Sequence, residues 1–293
     1  MKPQAFRYLR PQSLEEALAA LSDTEADIRP IAGGQSLVPM MSLRLAAPST
    51  LLDLGSISSL RGIRVDESGW LVAGSMTTHS DFEHSEIVGR HFPLLPMAME
   101  SVAHMPIRSR GTIGGSLAHA DPAGDWPALS VACEAKLVLS KQGAARAVMA
   151  DEFFCGIFST VLEPDELLTE IHFPLWPSNR RWGLQKFARR RGDFALAGAI
   201  VLLDVEDDGR VAWARIVVNG ATEMPTVLSE LAAGLEGKVP DASMVEALLD
   251  QVESSVDVRS DLHASTAYRK ELVRVMIRRA LQQALPALER EHE

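Results

Sequence analysis

Two stretches carry residues that could hold an anion without a lysine. In the first, Ile31-Ala32-Gly33-Gly34-Gln35-Ser36-Leu37-Val38-Pro39, an apolar run from Ile28 to Ala32 enters a glycine pair, and a helical-looking run from Met40 to Leu45 leaves it. Paired glycines admit positive φ and remove the Cβ atoms that would hold a ligand away from the backbone. Successive N–H groups can then converge on phosphate oxygens, with Gln35 and Ser36 adding donors. The second stretch, Gly111-Thr112-Ile113-Gly114-Gly115-Ser116-Leu117, repeats the order of apolar residue, two glycines, hydroxyl and leucine. A single glycine pair is an ordinary turn before a helix. Two matched copies roughly eighty residues apart suggest one loop for each phosphate of a diphosphate. Neither copy fits the G-x-G-x-x-G dinucleotide fingerprint or the Lys-Ser/Thr ending of a P-loop.

The elements that must position these loops can be read in order. A strand is expected at Phe6–Leu9, then a helix opened by Ser13 with Glu16 three residues on, running to about Leu21. Strands at Ile28–Ala32 and Leu51–Leu54, with a helical stretch carrying Arg44 after Pro39, complete a β-α-β-α-β unit. Ile63–Val65 and Trp70–Gly74 read as a hairpin, Thr77–Asp81 as a helix start and Pro93–Ala103 as a second helix. Beyond the second glycine stretch come a helix at Pro127–Ala132, a strand at Ala135–Leu139 and an alternating strand from Leu167 to Phe173. Pro174–Ser178 holds two prolines in four residues and is the best linker. Strands at Gly183–Ala188, Ala195–Val205 and Val211–Val218 follow, then helical patterns at Ser243–Val252 and Thr266–Leu285. Antiparallel strands followed by helices predict a separate α+β domain.

Composition narrows the chemistry. The 293 residues are 46% hydrophobic and 23% charged, an ordinary globular balance with room for two domains. Net charge is -10, from 39 acidic and 29 basic residues, which offers no general attraction to nucleic acid or an anionic membrane. Two cysteines, Cys133 and Cys155, are too few for an iron–sulfur cluster or a disulfide framework, and both are expected to be buried thiols. The first eight residues lack the apolar core of a signal peptide, and no run has the length of a membrane span, so the expected location is the cytoplasm. The eight histidines are scattered, with no metal-ligand spacing, and there is no serine elbow or reactive-cysteine signature. No catalytic residue and no metal site are predicted. A cofactor must carry any hard chemistry.

Ala32 to Met41, followed by Leu43-Arg44-Leu45, resembles the first signature of the FAD-binding subunits of molybdenum hydroxylases, with aerobic carbon monoxide dehydrogenases the nearest likeness. Thr112 to Pro127, including His119-Ala120-Asp121-Pro122-Ala123-Gly124-Asp125, resembles the second signature, and Lys186 to Ala197 the third. Asp261–Ser265 with Tyr268-Arg269 is similar to the closing signature. The likeness runs nearly end to end. One departure is Ser42, where the family usually has a lysine.

The resemblance implies an α+β protein. Residues 1–175 would form a two-part FAD-binding domain of the vanillyl-alcohol-oxidase (PCMH) type, with subdomains of about 1–57 and 58–175. Residues 176–293 would form a C-terminal domain of the carbon monoxide dehydrogenase flavoprotein type. It implies non-covalent FAD held by Ala32, Gly33, Gly34, Gln35, Ser36, Leu37, Thr112, Ile113, Gly114, Gly115 and Ser116. Asp125 falls at a ribityl contact and Lys186 at a flavin contact. Phe194 falls where an aromatic ring can cover one flavin face, and Leu168 is a candidate apolar contact. Taken alone, Asp121 and Asp125 read as turn-capping aspartates, His119 as structural, Phe194 as core and Arg189-Arg190-Arg191 as solvated. The arginines could instead meet acidic patches of a partner.

The implied partners are an iron–sulfur small subunit with two [2Fe–2S] clusters and a molybdopterin large subunit, in a dimer of heterotrimers. Electrons would pass from the molybdenum centre through the clusters to this flavin. They would then leave to a quinone, NAD, oxygen or a carrier protein. Two other readings stand beside it: a free-standing FAD-dependent dehydrogenase of the same fold, and a flavin-free scaffolding subunit.

Overall fold

The computed structural model describes residues 2–288, so the outermost residues of both expected domains lie outside the described part. The chain divides into two compact units. Residues 1–119, 135–155 and 159–174 make the first; residues 120–134, 156–158 and 175–293 make the second. The second glycine stretch therefore belongs to one unit, and Asp125, a few residues on, to the other.

The first unit begins with strands β1 (Arg7–Leu9), β2 (Ile28–Ile31) and β3 (Thr50–Asp53), paired in parallel in the order β1-β3-β2. Helix α1 (Leu14–Leu21) joins the first two. Ser13 caps it by accepting the Glu16 N–H at 3.2 Å, while the Glu16 carboxylate reaches back to the Gln12 N–H at 2.8 Å. Its apolar face, Ala17, Leu18 and Leu21, packs on Leu52, Leu54, Ile57, Leu60, Met76 and Leu167. Helix α2 (Leu37–Ser42) joins β2 to β3. It starts before Pro39 rather than after it, because a proline in the first turn removes only an N–H that would lack a helical partner anyway. Arg44 lies past its end, at φ 61°.

A five-stranded antiparallel sheet follows in the order β4-β5-β10-β6-β7, from β4 (Ile63–Val65), β5 (Trp70–Gly74), β6 (Lys136–Lys141), β7 (Ala144–Met149) and β10 (Leu167–Pro174). Strands β8 (Phe154–Gly156) and β9 (Ser159–Thr160) form a small ribbon. β7 is not evident in the sequence: its residues, Ala-Ala-Arg-Ala-Val-Met, are mostly exposed and carry little alternation. Four short helices separate β5 from the second glycine stretch: α3 (His79–His84), α4 (Glu86–His91), α5 (Leu94–Met99) and α6 (Met105–Arg108). Thr78 and Asp81 close a capping box on α3. The helix expected from Pro93 to Ala103 stops at Met99. There the Ser101 hydroxyl takes the Ala98 carbonyl and Ala103 turns to φ 49°.

The second glycine stretch is not a loop. It forms α7 (Ile113–His119), with Gly114 and Gly115 in its first turn. Helix α8 (Asp125–Ala132) opens the second unit's share of this region, and α9 (Ala150–Phe153) lies in the first unit.

The second unit is built on β11 (Arg180–Phe187), β12 (Ala197–Val205), β13 (Val211–Asn219) and β14 (Thr226–Val227), antiparallel in chain order. Every residue of β12 but Asp204 is buried, as expected of a central strand covered on both faces. Helices α10 (Ser229–Ala233), α11 (Ala242–Leu249) and α12 (Val252–Ser255) lead to α13 (Thr266–Ala284). Leu272, Val273, Met276, Ile277, Ala280 and Leu281 of α13 enter one core with the apolar residues of β12 and β13. Each such leucine or isoleucine contributes about 1.5–3 kcal/mol by burial. Helix α8 packs against β12 and β13. Cys133 is buried, and burial pushes its thiol up to about 12. Cys155 is exposed, contrary to expectation: it lies on the short β8, whose residues go from buried Phe154 to half-buried Gly156.

Candidate functional site

In the first unit the chain leaves β2 at Ile31 and bends through Ala32 and Gly33. Gly34 has φ +72°, a conformation that costs an L-residue roughly 1–2 kcal/mol. The Gln35 side chain folds back so that Nε2 donates to the Gly33 carbonyl at 2.9 Å, bracing the loop. Ala32 to Leu37 are all half-buried. Among the described residues no acceptor takes the N–H groups of Gly33, Gly34, Gln35 or Ser36, whereas the Gly34 and Ser36 carbonyls accept from Val38 and Met40 at 3.1 and 3.2 Å. Four successive backbone donors in a partly desolvated loop are a candidate anion cradle.

The second stretch has the same residue order and the opposite bookkeeping. The Ile113 N–H donates to the Thr77 carbonyl at 3.0 Å and the Gly114 N–H to the Ser75 carbonyl at 2.9 Å. Thr112 Oγ1 accepts the Gly115 N–H at 3.1 Å, as an N-cap does, and the Thr112 carbonyl accepts from Ser116 at 3.0 Å. The amides of Gly114, Gly115 and Ser116 are thus spent inside the protein. What this stretch can offer an anion is hydroxyl: Thr112, whose oxygen accepts but whose hydrogen can still donate, and half-buried Ser116.

The glycines also let backbones meet. A Cβ on Gly33 would stand 2.0 Å from the Arg110 carbonyl oxygen, and one on Gly115 3.3 Å from the Ala32 Cβ. A Cβ on Gly114 would stand 2.4 Å from the Ser75 Cβ. The two glycine stretches therefore touch, and α7 sits directly on Ser75. Behind them His79 donates its N–H to the Gly111 carbonyl at 3.0 Å. Its ring is buried, which, with the nearby Arg108 guanidinium, pushes its pKa down to about 4. Arg108 is itself held bidentate by Glu83 at 2.9 and 3.1 Å. Leu168 is buried in β10, at a bulge in its pairing with β6, and α7 packs on that strand.

In the second unit, Asp121 Oδ1 accepts the Ala123 N–H at 2.9 Å and shapes the turn into α8. Asp125 is the first residue of α8, where the helix dipole favours a carboxylate. Lys186 Nζ, near the end of β11, donates to Asp125 Oδ2 at 2.9 Å, with the two side chains 10% and 15% exposed. Burial raises the Asp125 carboxyl above its ordinary value; the Lys186 ammonium and its hydrogen bond pull it back, and Asp121 adds to the rise. The two residues that the sequence assigned separately to a cofactor are therefore each other's partners. Phe194 is 60% exposed rather than part of the core, and Arg189, Arg190 and Arg191 are exposed beside it. Ser75 and Thr77, whose carbonyls seat α7, were missed from the sequence; no local pattern marks a carbonyl used across a turn.

Among the described residues no group of three or more His, Cys, Asp or Glu could hold a metal ion, and no helix is long and apolar enough to cross a membrane. Residues 4–176 match the family model of the FAD binding domain in molybdopterin dehydrogenase, and residues 182–284 match the carbon monoxide dehydrogenase flavoprotein C-terminal domain. The chain belongs to the FAD-binding medium subunits of the molybdenum hydroxylases. The nicotine 6-hydroxylase medium subunit of Paenarthrobacter nicotinovorans is 39% identical, over 97% of this chain and 99% of that one. The carbon monoxide dehydrogenase medium chain of Hydrogenophaga pseudoflava is 38% identical, over 97% and 98%. A chain of the solved carbon monoxide dehydrogenase from Hydrogenophaga pseudoflava superposes with a TM-score of 0.93 at 38% identity, covering 97% of this chain and 98% of that one. For a medium subunit, the first-unit donors fit the cofactor: unpaired amides and two hydroxyls, with no lysine, suit a diphosphate at a half-buried loop. This medium subunit is thus an oxidoreductase component whose redox chemistry lies in FAD.

Proposed function

We propose that this chain holds FAD non-covalently and stands between [2Fe–2S] clusters of a small subunit and an external electron acceptor, in a molybdenum hydroxylase built as a dimer of heterotrimers. The observation that carries the proposal is the row of N–H groups from Gly33 to Ser36 without protein acceptors, in a chain of an FAD-binding family. Bound FAD would supply the electron chemistry, accepting electrons singly and giving up two.

The chain's own residues bind and orient. The loop Ala32–Leu37 would take the diphosphate by backbone donors, assisted by the Thr112 and Ser116 hydroxyls, with Ile113, Gly114 and Gly115 shaping the wall. Asp125 would hold the ribityl chain and Lys186 the pyrimidine edge, where its charge favours an anionic reduced ring. Phe194 would cover one face of the ring system and Leu168 would exclude water from it. No side chain is asked to act as a general base. The molybdopterin would sit on a large subunit, where the substrate is chosen, and the cytoplasm would be the compartment.

The test is a visible absorption spectrum of the purified chain, before and after incubation with FAD and desalting. Retained oxidised flavin, released intact on denaturation, supports the proposal, as does co-purification of a partner containing iron and molybdenum. Flavin that a small substrate reduces without any partner would instead favour a free-standing dehydrogenase. Absence of flavin from both the isolated chain and the co-expressed complex would leave a scaffold.

A further inference from the structure

Strands β12 and β13 are apolar along nearly their whole length, yet each carries a residue that weakens strands, and the two face each other: Gly198 is the cross-strand partner of Asn219. Asn219 is 4% exposed. A buried amide needs a partner, and Asn219 Nδ2 donates to the Gly124 carbonyl at 3.1 Å. Gly198 makes room for this, since a Cβ there would stand 2.3 Å from Asn219 Oδ1. Gly124 is the residue before Asp125 and the N-cap of α8.

The two carbonyls that precede it are also held. The Gly220 N–H donates to the Pro122 carbonyl at 2.9 Å, and the Ala195 N–H to the Ala123 carbonyl at 3.4 Å. Backbone donors of that kind come with any sequence; the third bond exists only because residue 219 carries an amide. The anchor is rigid from behind. Arg269, 1% exposed, donates to the Leu196 and Gly220 carbonyls at 2.6 and 2.7 Å and to Asp261 at 2.6 Å, and Arg259 adds two longer bonds to Gly220.

We infer that Asn219, in the space left by Gly198, is a positioning residue that fixes the Gly124–Asp125 peptide and so holds the Asp125 carboxylate against Lys186. This rests on the reading that Asp125 and Lys186 serve the flavin. The Asn219 amide bonds the carbonyl of the residue before Asp125. It acts on the turn that delivers Asp125, and a small displacement of a positioned group is costly.

The test uses the full chain loaded with FAD, reading FAD affinity by fluorescence titration and the midpoint potential by spectroelectrochemistry, with thermal melting as the fold control. Asn219→Ala should weaken FAD by about tenfold, the effect of one lost buried hydrogen bond. It should also raise the potential, in the direction that Asp125→Asn raises it, because Lys186 is then less well neutralised. Gly198→Ala should reproduce both effects by displacing the amide, and serves if Asn219→Ala folds poorly. The double variant should be no worse than Asn219→Ala alone, since the two changes break one contact. If Asp125→Asn shifts affinity and potential while both Asn219→Ala and Gly198→Ala leave them at wild-type values, the inference is overturned. If Asp125→Asn itself changes neither, the flavin reading of the pair fails first and takes this inference with it.

Discussion

The two glycine stretches share a residue order and differ in what their backbones have left to give. At Gly33–Ser36 the chain turns through a left-handed Gly34 and the amides have no protein acceptor. At Gly114–Ser116 the same order starts a helix, and each amide is already bonded to Ser75 or Thr112. One pair of glycines is therefore a candidate cradle and the other a seat. A glycine can be required because a ligand must approach, or because the protein's own backbone already does, and the pattern does not distinguish the two.

The sharpest way to break this comparison is Gly114→Val. Its Cβ would meet Ser75 backbone and side-chain atoms at 2.4–2.9 Å, and backbone cannot swing aside. A loss of about 3 kcal/mol or more is expected, so this variant should melt far below wild type whether or not FAD is present. A wild-type melting curve with flavin lost would put Gly114 in the cradle after all.

Acid should act on the seat next. His79, which supports Gly111, has its pKa pushed from 6.5 to about 4 in the folded chain. As pH falls through 6.5 the unfolded chain takes up a proton that the folded chain refuses. This contribution is therefore complete above pH 6.5 and is lost progressively down to about pH 4. It amounts to about 3 kcal/mol. Melting temperature against pH should show the slope in wild type, and His79→Gln should flatten it over that window.

Thr112→Val keeps the shape of the side chain but removes the oxygen that accepts the Gly115 N–H. About 1–2 kcal/mol of stability should go, from an amide left without its acceptor. FAD affinity should fall less than in loop variants if the seat reading holds, which parallel melting and titration would show. Gly34→Ala should cost no more stability than Thr112→Val, since a left-handed alanine costs roughly 1–2 kcal/mol. FAD retention after desalting should nevertheless drop more than in any variant of the second stretch that still folds. Equal retention in Gly34→Ala and Thr112→Val would erase the distinction between the loops.

Local signals carried far in this chain. Ser13 with Glu16, Thr78 with Asp81 and the alternation of Leu167–Phe173 are interactions within one turn or one strand face, and all three appear in the structure. The α+β class follows from their succession. Elements without such signals were missed or misplaced. β7 is recruited by pairing with β6, α5 is cut short by a serine taking a carbonyl, and α2 starts ahead of a proline that costs its first turn nothing. Cys155 looked like a buried thiol because its neighbours are aromatic, yet a strand of three residues leaves it outside.

By itself the sequence determined which atoms were available: paired glycines, hydroxyls, Asp125, Lys186, and a glycine and an asparagine out of character in two apolar strands. Only the tertiary structure decided how they are used. Whether an amide is free depends on which carbonyl arrives from elsewhere in the chain, as Ser75 does for Gly114. Whether two charges pair depends on a register that brings Lys186 to Asp125, 61 positions away. Hydrogen bonds act over about 3 Å of space and are indifferent to separation along the chain, so the use of each donor is settled by the fold.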